Sequence, residues 1–433
     1  MIMENSEKLW TGKVPDNWKF YKGKYIFGER SERGNAINLQ LLSPTQKYGV
    51  IPQSMYDELT SMKSVKVKED TDLSTFKTIH RGDFCISLRS FQGGFEYSEY
   101  EGVVSPAYHV LFSKMDICAG YYKYLFKEQR FIAEMNSYCQ SLRDGKNISY
   151  FDFGRTLIPF PPLSEQQSIA DYLDKTCSKI DEIIAEAKAS IDEYKELKQS
   201  VIFEAVTKGV NSNVELKNSG NEWIGMMPSN KRLTKVKYCG NFKKGPFGSA
   251  ITKDMFVEKG ANTFKVYEQK NAIYSDCTLG YYYISKDKYE ELQGFAIQPR
   301  DIIVSCAGTI GKTYVLPDNC EPGIINQALM RIRLYDKIDR TYFSYLFESL
   351  LEYAGKKYSN GSAIKNIPPF AILNNLWIVD FDVNEQIEIS EYLNIKLPQI
   401  DSLIAEKESL INDLEAYKKS LIYEVVTGKR RVV

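Results

Sequence analysis

Histidine is nearly missing: His80 and His109 are the two histidines in 433 residues. That argues against a histidine-rich metal site and against a histidine-dependent nucleophilic triad. Eight cysteines are scattered without any C-x-x-C spacing, so no zinc ribbon or dithiol redox centre is expected. No apolar run approaches ~18 residues, and the opening Met1-Ile-Met-Glu-Asn-Ser6 lacks the charged-then-apolar pattern of a leader. The expectation is a reducing, cytoplasmic setting away from membranes. Net charge is missing as well, because 56 Lys and Arg balance 56 Asp and Glu. Any surface for nucleic acid must therefore be local. Tyrosine, by contrast, is abundant, with 30 residues in an aromatic content of 13%. Such amphipathic rings suit cores and interfaces alike. The length suits two or three domains.

One stretch occurs twice. Leu163-Ser-Glu-Gln-Gln-Ser-Ile-Ala-Asp-Tyr-Leu173 continues to Thr207, and Val383-Asn-Glu-Gln-Ile-Glu-Ile-Ser-Glu-Tyr-Leu393 continues to Thr427. Tyr172 and Tyr392, Asp181 and Asp401, Lys198 and Lys418 all stand 220 residues apart without a gap. This is an internal duplication. Apolar residues in each copy step by alternating four and three, the seam of a coiled coil. The first seam runs through Ile180, Ile184, Ile191, Tyr194 and Lys198, the second through Ile400, Ile404, Ile411, Leu414 and Lys418. Matching lysines on both seams predict that the copies pair with each other, a polar seam residue fixing register. Ser164-x-x-Gln167 reads as a capping box and Asn384 as a cap. Pro398 predicts a kink or restart, leaving secure rods of about 30 residues, roughly 45 Å.

The duplication extends beyond the rods. Trp10-Thr-Gly-Lys-Val-Pro15 and Trp223-Ile-Gly-Met-Met-Pro228 open two heads, and Asp83-Phe-Cys-Ile-Ser87 is answered by Asp301-Ile-Ile-Val-Ser305. Lys146-Asn-Ile148 is answered by Lys365-Asn-Ile367. Short β-rich runs broken by Gly and Pro fill each head, followed by a helical pattern over Tyr121 to Tyr138 and over Tyr342 to Tyr353. Residues 211–222 are polar and turn-prone and read as a linker.

Two motifs mislead. Cys306-Ala-Gly-Thr-Ile-Gly-Lys-Thr313 approaches a phosphate loop, but Cys306 stands where the pattern needs Gly, and Tyr314-Val-Leu-Pro317 reads as strand instead of helix. Asn366-Ile-Pro-Pro-Phe370 departs by one Ile from the Asn-Pro-Pro-aromatic motif of amino-methyltransferases. No Gly-rich strand-turn-helix accompanies it, so no catalytic residues are assigned. Candidate contacts to nucleic acid are broader. Lys243, Lys244 and Ser249 sit among glycines that permit close approach to phosphates. Lys265, Tyr267 and Gln269 combine a cation, an aromatic and an amide able to bond base edges. Lys312 lies beside a glycine, and Lys47, Tyr48, Arg89, Ser90 and Gln92 offer similar chemistry in the first head. A solvated turn or an ordinary edge strand is the plain alternative at each.

These residues together resemble the specificity subunit of type I restriction-modification systems. The resemblance rests on the two Glu-Gln…Tyr-Leu…Ile-Asp rods, the two Trp-x-Gly-x-x-Pro openings, Tyr48-Gly-Val-Ile-Pro52, Gly245-Pro-Phe-Gly-Ser249 and Gly308-Thr-Ile-Gly-Lys312. It implies an α+β fold: two β-rich target-recognition domains (1–162 and 211–382) joined by two antiparallel coiled-coil helices (163–210 and 383–433), with pseudo-twofold internal repeat. It also implies a noncatalytic reader of double-stranded DNA, each head taking one half of a bipartite target while the helices set the spacer. Two methyltransferase subunits and restriction/translocase subunits would dock on it. S-adenosylmethionine, ATP and Mg would be held by those partners and none by this chain. A coiled-coil scaffold whose heads bind protein or peptide is the alternative.

Overall fold

In a computed structural model, residues 10–33, 40–60, 73–86, 94–138, 148–358 and 370–432 are described. The chain divides into two compact units, residues 1–188 with 408–433, and residues 189–407. Each unit holds one head and one end of each long helix.

In the first unit a four-stranded antiparallel sheet runs in the order Phe27–Glu29, His109–Ser113, Phe84–Ile86, Phe95–Tyr97. One face buries a cluster of aromatic rings, Phe27, Phe84, Phe95, Phe126, Phe131 and Phe153, each inaccessible to solvent. Neighbouring centroids lie 5.0–5.9 Å apart in tilted or edge-on pairs, geometry that the ring quadrupole favours. Lys19–Lys22 pairs with Leu157–Phe160 and ties the head's entry to its exit. The helical pattern over Tyr121 to Tyr138 resolves into two helices, Ala119–Leu125 and Gln129–Ser137, the second capped by the Glu128 side chain.

The second unit repeats the order with Gly240–Lys244, Leu329–Leu334, Ile302–Ser305 and Thr313–Val315. Leu233–Lys235 pairs with Trp377–Val379, as the equivalent strands do in the first head. A three-stranded sheet of Tyr283–Ser285, Thr263–Tyr267 and Gly323–Ile325 is added. A single helix, Arg340–Tyr358, packs beneath. The stretch read as a linker contributes a strand, Leu216–Asn218, paired with Met226–Pro228.

The long helices are Leu163–Lys208, 46 residues, and Val383–Val426, 44 residues. At ~1.5 Å per residue these are roughly 69 and 66 Å long. The second runs unbroken through Pro398, so neither the expected restart nor the 30-residue limit holds. Leu393, Leu397 and Ile400 are buried around the proline, and fixing these side chains outweighs one lost backbone bond. The caps also differ from expectation. The first helix starts at Leu163, ahead of Ser164, with Glu165 N and Gln166 N bonded to Pro162 O. In the second, Asp382 takes the capping role given to Asn384, accepting from Asn384 N and Glu385 N while Glu385 bonds back to Asp382 N.

Within each unit the two helix ends pair antiparallel. In the first, Lys418 Nζ meets the Asp181 carboxylate at 2.6 and 2.7 Å, and Cys177 and Ile422 border the same cleft. In the second, Lys198 Nζ meets Asp401 at 2.6 and 2.8 Å, and Ile202 shares a core with Leu393 and Leu397. The seam lysines thus reach the aspartates that flank the opposite seam. Ile180, Ile184, Ile191, Ile400 and Ile411 are buried, while Tyr194, Ile404, Leu414 and both seam lysines are half-buried.

Candidate nucleic-acid interface

Each head is fastened to its helix by side chains at matching positions. Buried Gln166 donates to Pro161 O (2.9 Å) and accepts from Cys118 N (3.0 Å). Buried Gln386 donates to Phe381 O (2.8 Å) and accepts from Asp339 N (2.8 Å). Tyr124 donates to Asp174 at 2.7 Å, and Tyr345 to Asn394 at 2.8 Å. The two glutamines stand in the same Glu-Gln step of the repeat, which was the available signal for them. The start of the central strand is anchored alike in both heads. Asp83 accepts from His80 N and Asp301 from Gln298 N, and each carboxylate holds an arginine, Arg30 or Arg333, through two bonds.

The opposite end of each four-stranded sheet is where the heads part company. In the second head, Lys244 faces Met330, Val304 faces Met330 and Thr313, and Ser305 faces Leu329. The loops 245–249, 306–312 and 326–328 therefore leave the sheet at one end. Gly245 is required there, because a Cβ would stand 1.8 Å from Asn326 O. The segment from Cys306 to Gly311 is a hairpin connection closed by Gly311 N to Ser305 O and Lys312 N to Ser305 Oγ. No helix follows it, so the phosphate-loop spelling carries no phosphate-loop structure. Gln269 accepts from Ala307 N at 3.0 Å, which draws the helix Gln269–Ile273 to the same end.

Five of the candidates in the second head stand on elements that meet at this end, Lys243, Lys244, Ser249, Gln269 and Lys312, although the Lys243 ammonium turns to the other face of its strand and lies over the Phe295 ring at 5.0 Å. Lys243, Lys244, Ser249 and Lys312 are exposed, and the three lysines form no ion pair among the described residues. Two candidates do not belong with them. Lys265 is inaccessible, its ammonium bonded to Cys277 O (2.6 Å) and Thr278 O (3.0 Å). Burial holds its pKa below the ordinary lysine value, while Glu321 acts against that shift. Tyr267 is equally buried and donates to Glu321 O. Neither side chain can meet a ligand at the surface; both lie in the middle strand of a three-stranded sheet, covered on each side. Three exposed aromatics also stand at this end: Phe247, 89% exposed and inside the Gly245–Ser249 motif, and Tyr274, 71%, and Tyr281, 73%, which no sequence motif marks.

In the first head, exposed Lys47 lies over the Tyr48 ring at 4.9 Å. Both border a cleft of about 560 Å³ shared with Tyr97, Lys123, Asp181 and Lys418. The cations deeper in this cleft are spent on carboxylates: Lys123 on Asp174, Lys418 on Asp181, and Lys127 on Glu96. Arg89, Ser90 and Gln92 lie outside the described residues, as do the Lys146 and Lys365 anchors. No cluster of metal-ligating side chains occurs among the described residues, and none of their helices is long and apolar enough to cross a membrane.

Residues 15–193 match the family model of the type I restriction modification DNA specificity domain. The chain is 27% identical over 308 residues to the type I restriction enzyme MjaVIII specificity subunit of Methanocaldococcus jannaschii, 68% of each chain. It is 23% identical over 445 residues to the putative MjaX specificity subunit of that organism, covering 99% of this chain and 97% of the relative. Among solved structures, a chain from a type I R-M system studied for complex assembly and conformational transition superposes with a TM-score of 0.72 at 14% identity, over 96% of this chain and all of that one. The HsdS subunit of Thermoanaerobacter tengcongensis gives 0.55 at 16% identity, over 96% of this chain and 98% of its own.

Proposed function

We propose, from the premise that this chain belongs with the specificity subunits of type I restriction-modification systems, that each head reads one half of a bipartite duplex and that the paired helices set the unread spacer between the halves. The observation that carries this reading is the contrast within the heads. Sheet order, strand anchors and helix clamps recur at matching positions, while the loops at the free end of the sheet differ in sequence. A common frame with unlike loops suits two readers that share a mode of docking but differ in the bases they prefer. Major-groove edges distinguish all four base pairs, so that groove is where such loops would read. Exposed lysines beside glycines would grip phosphates without regard to sequence.

The chain performs no catalysis in this reading. Methylation and cleavage belong to docked methyltransferase and restriction/translocase subunits, which would hold S-adenosylmethionine, ATP and Mg. Apolar side chains exposed at matching positions on the long helices, Ile183 and Leu403, Leu197 and Tyr417, support such docking. The balanced charge of the chain favours weak, salt-sensitive binding to DNA when it is alone, with partner subunits adding phosphate contacts. The test is an exchange. Residues 211–382 are replaced by the second head of another specificity subunit, and methylated positions are mapped across the host genome. One half of the methylated target should change and the spacer should stay. Alteration of both halves, or of neither, overturns modular reading.

A further inference from the structure

The loop after the helix Gln269–Ile273 is built in an unusual way. Four successive carbonyls, those of Asp276, Cys277, Thr278 and Leu279, are all taken up by two interior side chains. Asn271 Nδ2 donates to Asp276 O and Leu279 O, both at 2.8 Å, and Lys265 Nζ donates to Cys277 O and Thr278 O. Both side chains are fully buried. Asn271 is itself held, because its Oδ1 accepts from Glu268 N at 2.8 Å. The backbone turns through positive φ at Ser275 (51°) and Gly280 (97°), one on each side of the inward-facing carbonyls. The amide groups of Leu279, Gly280 and Tyr281 donate to no acceptor among the described residues.

A loop with its acceptors drawn inward turns a donor-rich, aromatic rim outward. Tyr274 and Tyr281 stand at its two ends, 71% and 73% exposed, and Lys270 Nζ lies over the Tyr281 ring at 5.3 Å. Glu268, whose side chain pairs with Lys270 at 2.8 Å, also touches the position of Gly280, so this rim belongs to the strand end that carries Gln269. That end adjoins the unpaired Lys244 and Lys312 through Gln269 and Ala307, and through Asn326 N bonded to Tyr267 O.

We propose that residues 274–281 form a preshaped reading loop for duplex DNA. In it Tyr274 and Tyr281 contact the half-site taken by the second head, and Lys265 and Asn271 act as positioning residues from beneath. The inference rests on the function proposed above. Duplex DNA is the occupant because the rim offers hydroxyls, amide donors and lysines to phosphates, and ring faces to sugars and thymine methyls. A loop shaped before binding loses little conformational freedom on contact, so its side chains arrive already aimed.

The experiment uses the chain co-expressed with the methyltransferase subunits of its own host, and duplexes carrying both half-sites or either one scrambled. The double variant Tyr274→Ala, Tyr281→Ala should bind the intact target on the order of tenfold more weakly and still reject a scrambled first half. Asn271→Asp keeps shape and the bond from Glu268 N but sets an anion against two carbonyls; it should give the same selective loss. Amide hydrogen exchange of the strand Ile302–Ser305 should stay protected in that variant, which separates a misplaced loop from an unfolded head. A wild-type complex that cannot distinguish the bipartite duplex sinks the proposed function together with this inference. A discriminating wild type beside an unaltered tyrosine variant sinks the inference alone.

Discussion

Glu96 is 1% exposed, paired in register with buried Cys85 on the neighbouring strand, with Lys127 Nζ at 2.6 Å from one oxygen. Its other oxygen bonds nothing among the described residues. Burial pushes this carboxyl up to about 7, against the pull of the Lys127 ammonium. The folded state therefore holds the proton more tightly than the unfolded chain, whose carboxyl titrates near 4.5. The sign follows from linkage: the contribution to stability is fully present below about 4.5 and is lost as pH rises through about 7. The shift corresponds to a change on the order of 3 kcal/mol across that window. Glu96→Gln mimics the protonated form, so it should stabilise the first head at pH 8 relative to pH 5. Amide exchange of residues 84–97 at the two pH values measures this; an equal pH slope in wild type and variant would count against it. Residues of this kind were not legible in advance. Glu96, Lys265 and Asn271 look like surface letters in the sequence, and only tertiary packing shows that each ends up inside. The exposure of Lys244 and Lys312 follows from local sequence, because a glycine beside each constrains the backbone where it leaves a strand, with no need of distant partners.

The long helices were the most readable elements. An ungapped repeat with apolar residues at alternating steps of four and three leaves one solution, and the buried isoleucines occupy that seam. Pro398 does not end the second helix, since local propensity yields to a packed face. The sheets were the least readable, as most strands span three to five residues and periodicity over so few positions is weak. At this scale the ion pairs Lys198–Asp401 and Lys418–Asp181 are the testable feature. All four side chains are substantially exposed, at 28–59%. Each pair therefore contributes no more than about 1 kcal/mol, and its value lies in register. Lys198→Asp alone should destabilise the second unit modestly by setting two carboxylates face to face. Adding Asp401→Lys should restore most of the loss. A double-mutant cycle on the unfolding midpoint checks this, and strict additivity would show that the pair is idle.

Taken whole, the chain joins two units that are wired differently along the sequence. The second is one continuous segment, whereas the first is completed by the last 26 residues, 408–433. Within it, Tyr121 donates to Val426 O, Arg130 stacks on Tyr423 at 4.1 Å, and Lys429 donates to Thr11 O and Lys13 O. Order of synthesis is therefore not order of completion. On the ribosome the head made first must wait, with Ile180 and Ile184 uncovered, until residues 408–433 emerge, while the head made second can close before them. Release of the chain at residue 407 should leave a second unit with native exchange protection and a first unit that is protease-sensitive and prone to aggregate. Pulse proteolysis of stalled nascent chains would read out that order directly. A segment translated late fastens a head translated early, so a product terminated ahead of residue 408 would lack a properly closed first head.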